Sequence, residues 1–171
     1  MKRRILSFTS VMILATTITL PVLCQAGDDK SRAQAMFDKA VALVEKEGLH
    51  KAFYEFNTNK KEFVDGPIHI TVVSDEGFLF AHSYKPEAIG ISIAESKSAA
   101  KRDDYSFQDA IKDMDRVGNN VGVIHWIWWN PETNKREKKM AFVKRVHDSN
   151  PNFVVFFYVL SNYFAPLPAG E

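Results

Sequence analysis

The chain has 171 residues, 46% of them hydrophobic and 25% charged, which is the size and balance of one globular domain with short appendages and excludes a disordered or collagen-like polymer. Lys plus Arg number 22 against 21 Asp plus Glu, and a net charge of +1 gives no broad field to hold nucleic acid or an anionic membrane surface. The single Cys excludes an internal disulfide framework and a Cys-rich zinc site, while 13 Phe beside 3 Trp and 5 Tyr call for an unusually aromatic core or pocket.

Residues 1–26 read as a secretory signal peptide. Lys2, Arg3 and Arg4 form a positive start, Ile5 to Leu23 carry no charge, and Cys24-Gln25-Ala26 sets small residues three and one before a cut ahead of Gly27. A membrane anchor is the competing reading, because a spanning helix needs ~20 apolar residues. The Thr and Ser content, Pro21 and the polar Gly27-Asp28-Asp29-Lys30 favour cleavage. Lipidation at Cys24 is disfavoured by the bulky Leu23 before it. Removing the signal takes away three basic residues and the Cys, leaving 19 basic against 21 acidic and a charge of −2. A Cys-free chain folds without redox chemistry, which suits an oxidising compartment.

From Ser31, Met36, Phe37, Ala40, Val41 and Val44 recur at helical spacing up to Gly48, and a second short helix, Leu49 to Phe56, carries Ala52, Phe53 and Phe56 on one side. Phe37, Phe53 and Phe56 therefore read as core. Asn57 to Lys61 should break the helix. Ile68 to Val73, a turn at Ser74-Asp75-Glu76-Gly77, and Phe78 to His82 make a hairpin. A polar loop from Ser92 to Asp104 leads to a third helix, Tyr105 to Val117. Strands follow at Gly122–Trp129, Lys138–Val146 and Phe153–Leu160, with a turn at Asn130 to Lys135 whose charged Lys135–Lys139 cluster reads as solvated. The last strand is apolar at both parities and should be central, covered on both faces. The expected fold is α+β and PAS-like: an N-terminal helix packed on a roughly five-stranded antiparallel sheet.

Several stretches then resemble a family. Lys51 to Asn57, Phe63-Val64-Asp65-Gly66, Asp75-Glu76-Gly77 with Ala81-His82, Ile89-Gly90, Trp126, Trp128 and Asn130-Pro131, and Lys139 with Phe142-Val143 follow one another as in the single Cache domains. These are PAS-like extracellular sensor modules of bacterial chemoreceptors and sensor kinases, also found as free-standing exported proteins. The resemblance runs from about Ala33 to Leu160. The expected organisation is a signal peptide (1–26), a single Cache ligand-binding domain (27–160) and a C-terminal tail (161–171). The resemblance also implies a small organic ligand, a short carboxylate or amino acid, on the sheet's concave face under the loop and helix between the second and third strands. Two departures stand out. Phe156-Phe157-Tyr158 replaces the Gly often found before the last strand's aromatic, and Val123 and His125 stand where the family has a large aromatic and an acid.

The candidate ligand residues are Trp126, Trp128, Tyr105, Lys139, Phe142 and His82. Trp126 and Trp128 share strand parity and so one face, where indoles can grip an apolar body and donate a hydrogen bond, although core packing explains them equally well. Tyr105 opens the helix beside the roofing loop. Lys139 supplies the cation if the resemblance holds, and is an exposed hairpin lysine otherwise. His82 ends a strand beside the loop and can orient an anion, against the ordinary role of a lone structural His. None of the five His makes a metal-binding pair, and no nucleophile elbow or phosphate loop is present, so neither cofactor, metal nor catalysis is expected.

Three functions follow. The first is an exported periplasmic or secreted ligand-binding sensor module in signal transduction or chemotaxis, acting through a membrane sensor or receptor. The second is a structural adaptor whose pocket is filled by Phe156 and Phe157. The third, an enzyme of unrecognised class, has the least support. The tail from Asn162 to Pro168 reads as frayed, with a docking peptide as the alternative.

Overall fold

The computed structural model describes residues 25–93, 107–118, 120–130, 133, 135–147 and 156–164. Helix α1 (Gln25–Glu47) starts before the expected Ser31 and ends at Gly48, which sits at φ 82°, a left-handed conformation that favours glycine and lets helix α2 (Leu49–Thr58) leave in a new direction. Asn57 to Lys61 does not simply break the chain. Asn59 separates α2 from a single further turn, α3 (Lys60–Phe63), which delivers Phe63 edge-on to Phe56 at 4.8 Å.

Strand β1 (Val64–Asp65) pairs with the start of β2 (Ile68–Ser74), and β3 (Leu79–His82) pairs with the rest of the same edge. The expected turn closes that hairpin: Gly77, at φ 90°, donates its N–H to the Ser74 carbonyl, and the Ser74 hydroxyl accepts the Phe78 N–H. After a short 3-10 turn at Pro86–Ala88 come α4 (Phe107–Val117), β4 (Val121–Asn130), β5 (Lys135–His147) and β6 (Phe156–Phe164). The sheet is antiparallel in the order β1-β2-β6-β5-β4, with β3 beside β1 on β2, giving six strands where about five were expected.

β6 is central, as its uninterrupted apolar run requires, and seven consecutive residues, Phe157 to Tyr163, are buried. It runs four residues beyond Leu160. Ser161 to Phe164 therefore belong to the sheet, which corrects the reading of Asn162 to Phe164 as frayed tail. Of the expected roofing loop, Ser92 and Ile93 are described, Ser92 bridging to Phe78 and Ile93 donating its N–H to the Gly77 carbonyl; the rest of it, Tyr105 and residues 165–171 lie outside the described residues, as do residues 1–24 of the expected signal peptide (1–26), whose last two residues open α1.

Strand alternation divides the interior into two cores. Ile68, Ile70 and Val72 of β2, Phe157, Val159 and Tyr163 of β6, and Phe142 of β5 pack under Phe37, Ala40, Val44 and Phe56 of the N-terminal helices. Truncating a ring such as Phe37, which is fully buried, costs about 3–5 kcal/mol. Val73, Tyr158, Leu160, Ala141, Val143 and Ile124 form the opposite face with Met114 of α4. Among the described residues no helix is long and apolar enough to cross a membrane.

Candidate functional site

The face of the sheet opposite α1 changes character toward one end. There the residues that alternate with the α1-side core are polar: His69 and Thr71 of β2, His82 of β3, Asn162 of β6 and Lys139 of β5. Register brings them together, since His69 lies opposite Asn162 and Thr71 opposite His82.

A buried lysine anchors this cluster. Lys139 is only 8% exposed, so it is not the solvated hairpin lysine that its charged neighbours suggest, and its ammonium lies 5.9 Å from the centre of the Phe164 ring. His69 and His82 stack face to face, with centroids 5.0 Å apart and planes 3° from parallel. Burial, reinforced by the Lys139 charge, holds His69 well below the ordinary imidazole range, and the same two causes push His82 down to about 4. Both rings are therefore neutral at physiological pH.

Their partners assign the tautomers. The Pro67 carbonyl can only accept, so His69 donates from Nδ1 at 2.8 Å and keeps its lone pair on Nε2. The Lys85 N–H donates to His82 Nδ1 at 3.2 Å, which leaves the His82 proton on Nε2. Asn162 donates through Nδ2 to the His69 carbonyl at 3.1 Å and to the Thr71 hydroxyl at 3.0 Å, cross-linking β6 to β2 beneath the rings. The result is one ammonium, one imidazole N–H donor and one imidazole acceptor held on a rigid sheet, an arrangement suited to gripping a small polar or anionic group.

Of the six candidates from sequence, Lys139 and His82 come together here. Trp126 pairs with Lys139 and Trp128 with Glu137 in the β4–β5 register, which sets their backbones beside the cluster; their side chains, and all of Tyr105, lie outside the described residues. Phe142 is separated from the rest. It has the parity opposite to Lys139, packs tilted against Phe37 at 6.0 Å and stacks with Tyr163 at 5.7 Å beneath α1. Phe156 and Phe157 do not fill this cluster either. Phe157 packs edge-on against Phe53 and Phe80 on the α1 side, and Phe156 lies under the Arg145 guanidinium, 3.6 Å away, at the other end of β6.

His69, Thr71 and Asn162 were missed. The signal for the first two was present, because His69 and Thr71 are the polar alternates in an otherwise apolar run, Ile68-His69-Ile70-Thr71-Val72. Among the described residues no group of His, Cys, Asp and Glu could hold a metal ion.

Comparison with known proteins agrees with the fold. The sequence model of the Cache domain matches residues 30–159. The fold is similar to a crystal structure of a methyl-accepting chemotaxis protein from Vibrio parahaemolyticus, at 12% identity over 82% of this chain and 88% of that one, with a TM-score of 0.52. It is also similar to a periplasmic sensor domain of a chemotaxis protein, at 14% identity over 83% and 96% of the two chains, with a TM-score of 0.50. Among curated proteins no sequence matches. With the antiparallel sheet, the N-terminal helices and a match over most of its length, the chain belongs to the Cache domain family.

Proposed function

We propose that this protein is an exported ligand-binding sensor module that captures a short carboxylate on the face of the sheet opposite α1 and passes the signal to a membrane partner. Cache domains are sensory ligand-binding domains, and the observation that carries the finer reading is the buried Lys139 beside the His69–His82 stack. An ammonium held on the sheet beside an imidazole N–H donor offers an anionic ligand one charge contact and one hydrogen bond. The same contacts serve a short carboxylate or the carboxylate end of an amino acid. Trp126 and Trp128 remain the proposed aromatic wall, Tyr105 the phenol that reaches the carboxylate and His82 the proposed donor, while Phe142 lies on the opposite face of the sheet.

Export rests on the basic-then-apolar stretch from Lys2 to Leu23, and it sets the ligand in the periplasm or outside the cell. An affinity of ~1 μM corresponds to about −8 kcal/mol, within reach of one charge pair and an apolar wall. The test is a thermal-shift and calorimetric panel of acetate, propionate, pyruvate and succinate against glycine and alanine. The expected result is binding of at least one carboxylate and a loss of about 30-fold or more in affinity for Lys139→Met. Binding unaffected by Lys139→Met, or no binding across the panel, refutes the reading.

A further inference from the structure

The hydrogen bonds beneath the stacked rings fix the polarity of Thr71. The His69 carbonyl can only accept, so the Asn162 atom 3.1 Å from it is the amide nitrogen, and the same nitrogen lies 3.0 Å from Thr71 Oγ1. Thr71 therefore accepts from Asn162, and its own proton is left to donate elsewhere. Thr71 is 8% exposed, and that proton has no acceptor among the described residues. A buried hydroxyl ordinarily has one. His69, two residues earlier on the same face of β2, has the complementary need. It spends its Nδ1 proton on the Pro67 carbonyl and keeps a lone pair on Nε2, while burial keeps the ring neutral. Side chains two apart on a strand leave one face about 6–7 Å from each other. His82, opposite Thr71 in the register and stacked on His69, joins both positions to the carboxylate contact.

We propose that Thr71 and His69 select a carboxylate that carries a neighbouring hydroxyl: Thr71 donates to the hydroxyl oxygen, and that hydroxyl donates to His69 Nε2. This rests on the reading of the site as a carboxylate receptor, with Lys139 and His82 on the carboxylate group. A hydroxyl meets both requirements because it accepts and donates at one oxygen. A keto oxygen only accepts and leaves His69 unmet, an ammonium only donates and leaves Thr71 unmet, and a methylene meets neither. The preferred class is therefore the 2-hydroxycarboxylates. Buried polar groups left without partners penalise the wrong ligand more heavily than a missing apolar contact does, so this pair discriminates sharply.

Lactate, pyruvate, alanine and propionate share one carbon skeleton and differ only at the carbon beside the carboxylate. Titration calorimetry of the full chain with these probes at neutral pH reads the choice directly. Lactate is expected to bind at least about 10-fold more tightly than each of the other three. Thr71→Val keeps the shape and removes the hydroxyl, and should bring lactate to within about 3-fold of propionate. Thr71→Ser restores the donor and should keep lactate ahead. If Thr71→Val does not fold, the order of the probes on the wild-type protein decides the matter alone. Propionate, pyruvate or alanine binding as tightly as lactate, or a lactate preference unchanged in Thr71→Val, overturns this inference and leaves the carboxylate reading standing. No binding by these probes, nor by the acetate and succinate of the wider panel, overturns both.

Discussion

Asn57, near the end of α2, accepts the backbone N–H of His82 at 2.9 Å, and its own Nδ2 reaches back to the Phe80 carbonyl at 3.4 Å. A helix side chain thus stands in for a missing strand on the open edge of β3, satisfying ladder groups that would otherwise face solvent and fixing the strand residue whose ring enters the site. Further back, the chain returns along the same edge, with the Leu79 N–H donating to Ile91 and the Gly90 N–H to Leu79. Replacing Asn57 with Ala removes both contacts and should lower stability by about 1–2 kcal/mol. It should weaken carboxylate binding by more than the fold as a whole loosens, because His82 is the residue released. Denaturant unfolding and calorimetry on the same variant check the two effects separately; unchanged affinity in a destabilised protein would show that the edge clamp does not position the ring.

The buried histidines also set the pH profile of the free protein. Both have folded values depressed below the unfolded value of ~6.5, mainly by burial, so the unfolded chain binds more protons as pH falls. Their contribution to stability is present above that pH and is lost progressively below it. With His82 at about 4 in the fold, that residue alone accounts for about 2 kcal/mol of lost stability between neutrality and pH ~5, and His69 adds in the same direction. The melting temperature should drop over this window, before the surface carboxylates titrate, and His82→Gln should make the drop shallower. A melting temperature constant from pH ~7.5 to ~5 would contradict the assignment of two neutral buried rings.

The sequence carried the architecture further than it carried the site, for reasons visible in single residues. The run from Phe156 to Leu160, apolar at both parities, could only be a central strand, and the β2–β3 turn followed from Gly77. Lys139 and His82 were legible as candidates, but Phe142 was not separable from them, because a resemblance in order along the chain does not say which face of the strand a residue takes. Alternation does: 139 and 142 differ by an odd number and fall on opposite faces. Asn162 escaped because the strand was ended at Leu160, where the polar Ser161-Asn162 pair looks like a loop. In the fold both residues are buried, and Asn162 spends its amide on β2.

Gly122 makes room for the end of α4. A Cβ built on it would lie 2.2 Å from Val117 Cγ2 and 2.9 Å from Cγ1, closer than any real contact, and the β-branched Val117 has little rotamer freedom on a helix with which to move aside. Gly122→Ala should therefore push α4 off the sheet and cost about 1–3 kcal/mol despite adding a better strand former. Adding Val117→Ala should recover part of that loss by removing both clashing methyls. A double variant no more stable than Gly122→Ala, measured by urea unfolding, would place the role of this glycine elsewhere.

Two tyrosines on the central strand should respond oppositely to losing a hydroxyl. Tyr158 faces α4 and its hydroxyl donates to the Asp115 carboxylate, tying the helix to β6; burial, then this bond, raises the phenol's ionisation above its ordinary value. Tyr163 faces α1, stacks with Phe142 at 5.7 Å, and its hydroxyl is buried with no hydrogen-bond partner among the described residues. Tyr158→Phe removes a bond to a charged acceptor and should cost about 1.5–3 kcal/mol. Tyr163→Phe removes an unsatisfied polar atom while keeping the ring, and should raise stability by about 1 kcal/mol. Urea unfolding of the two single variants reads both signs. Because Tyr163 lies on the α1 side, Tyr163→Phe should leave carboxylate affinity unchanged. A destabilised Tyr163→Phe would mean that an acceptor outside the described residues holds the hydroxyl.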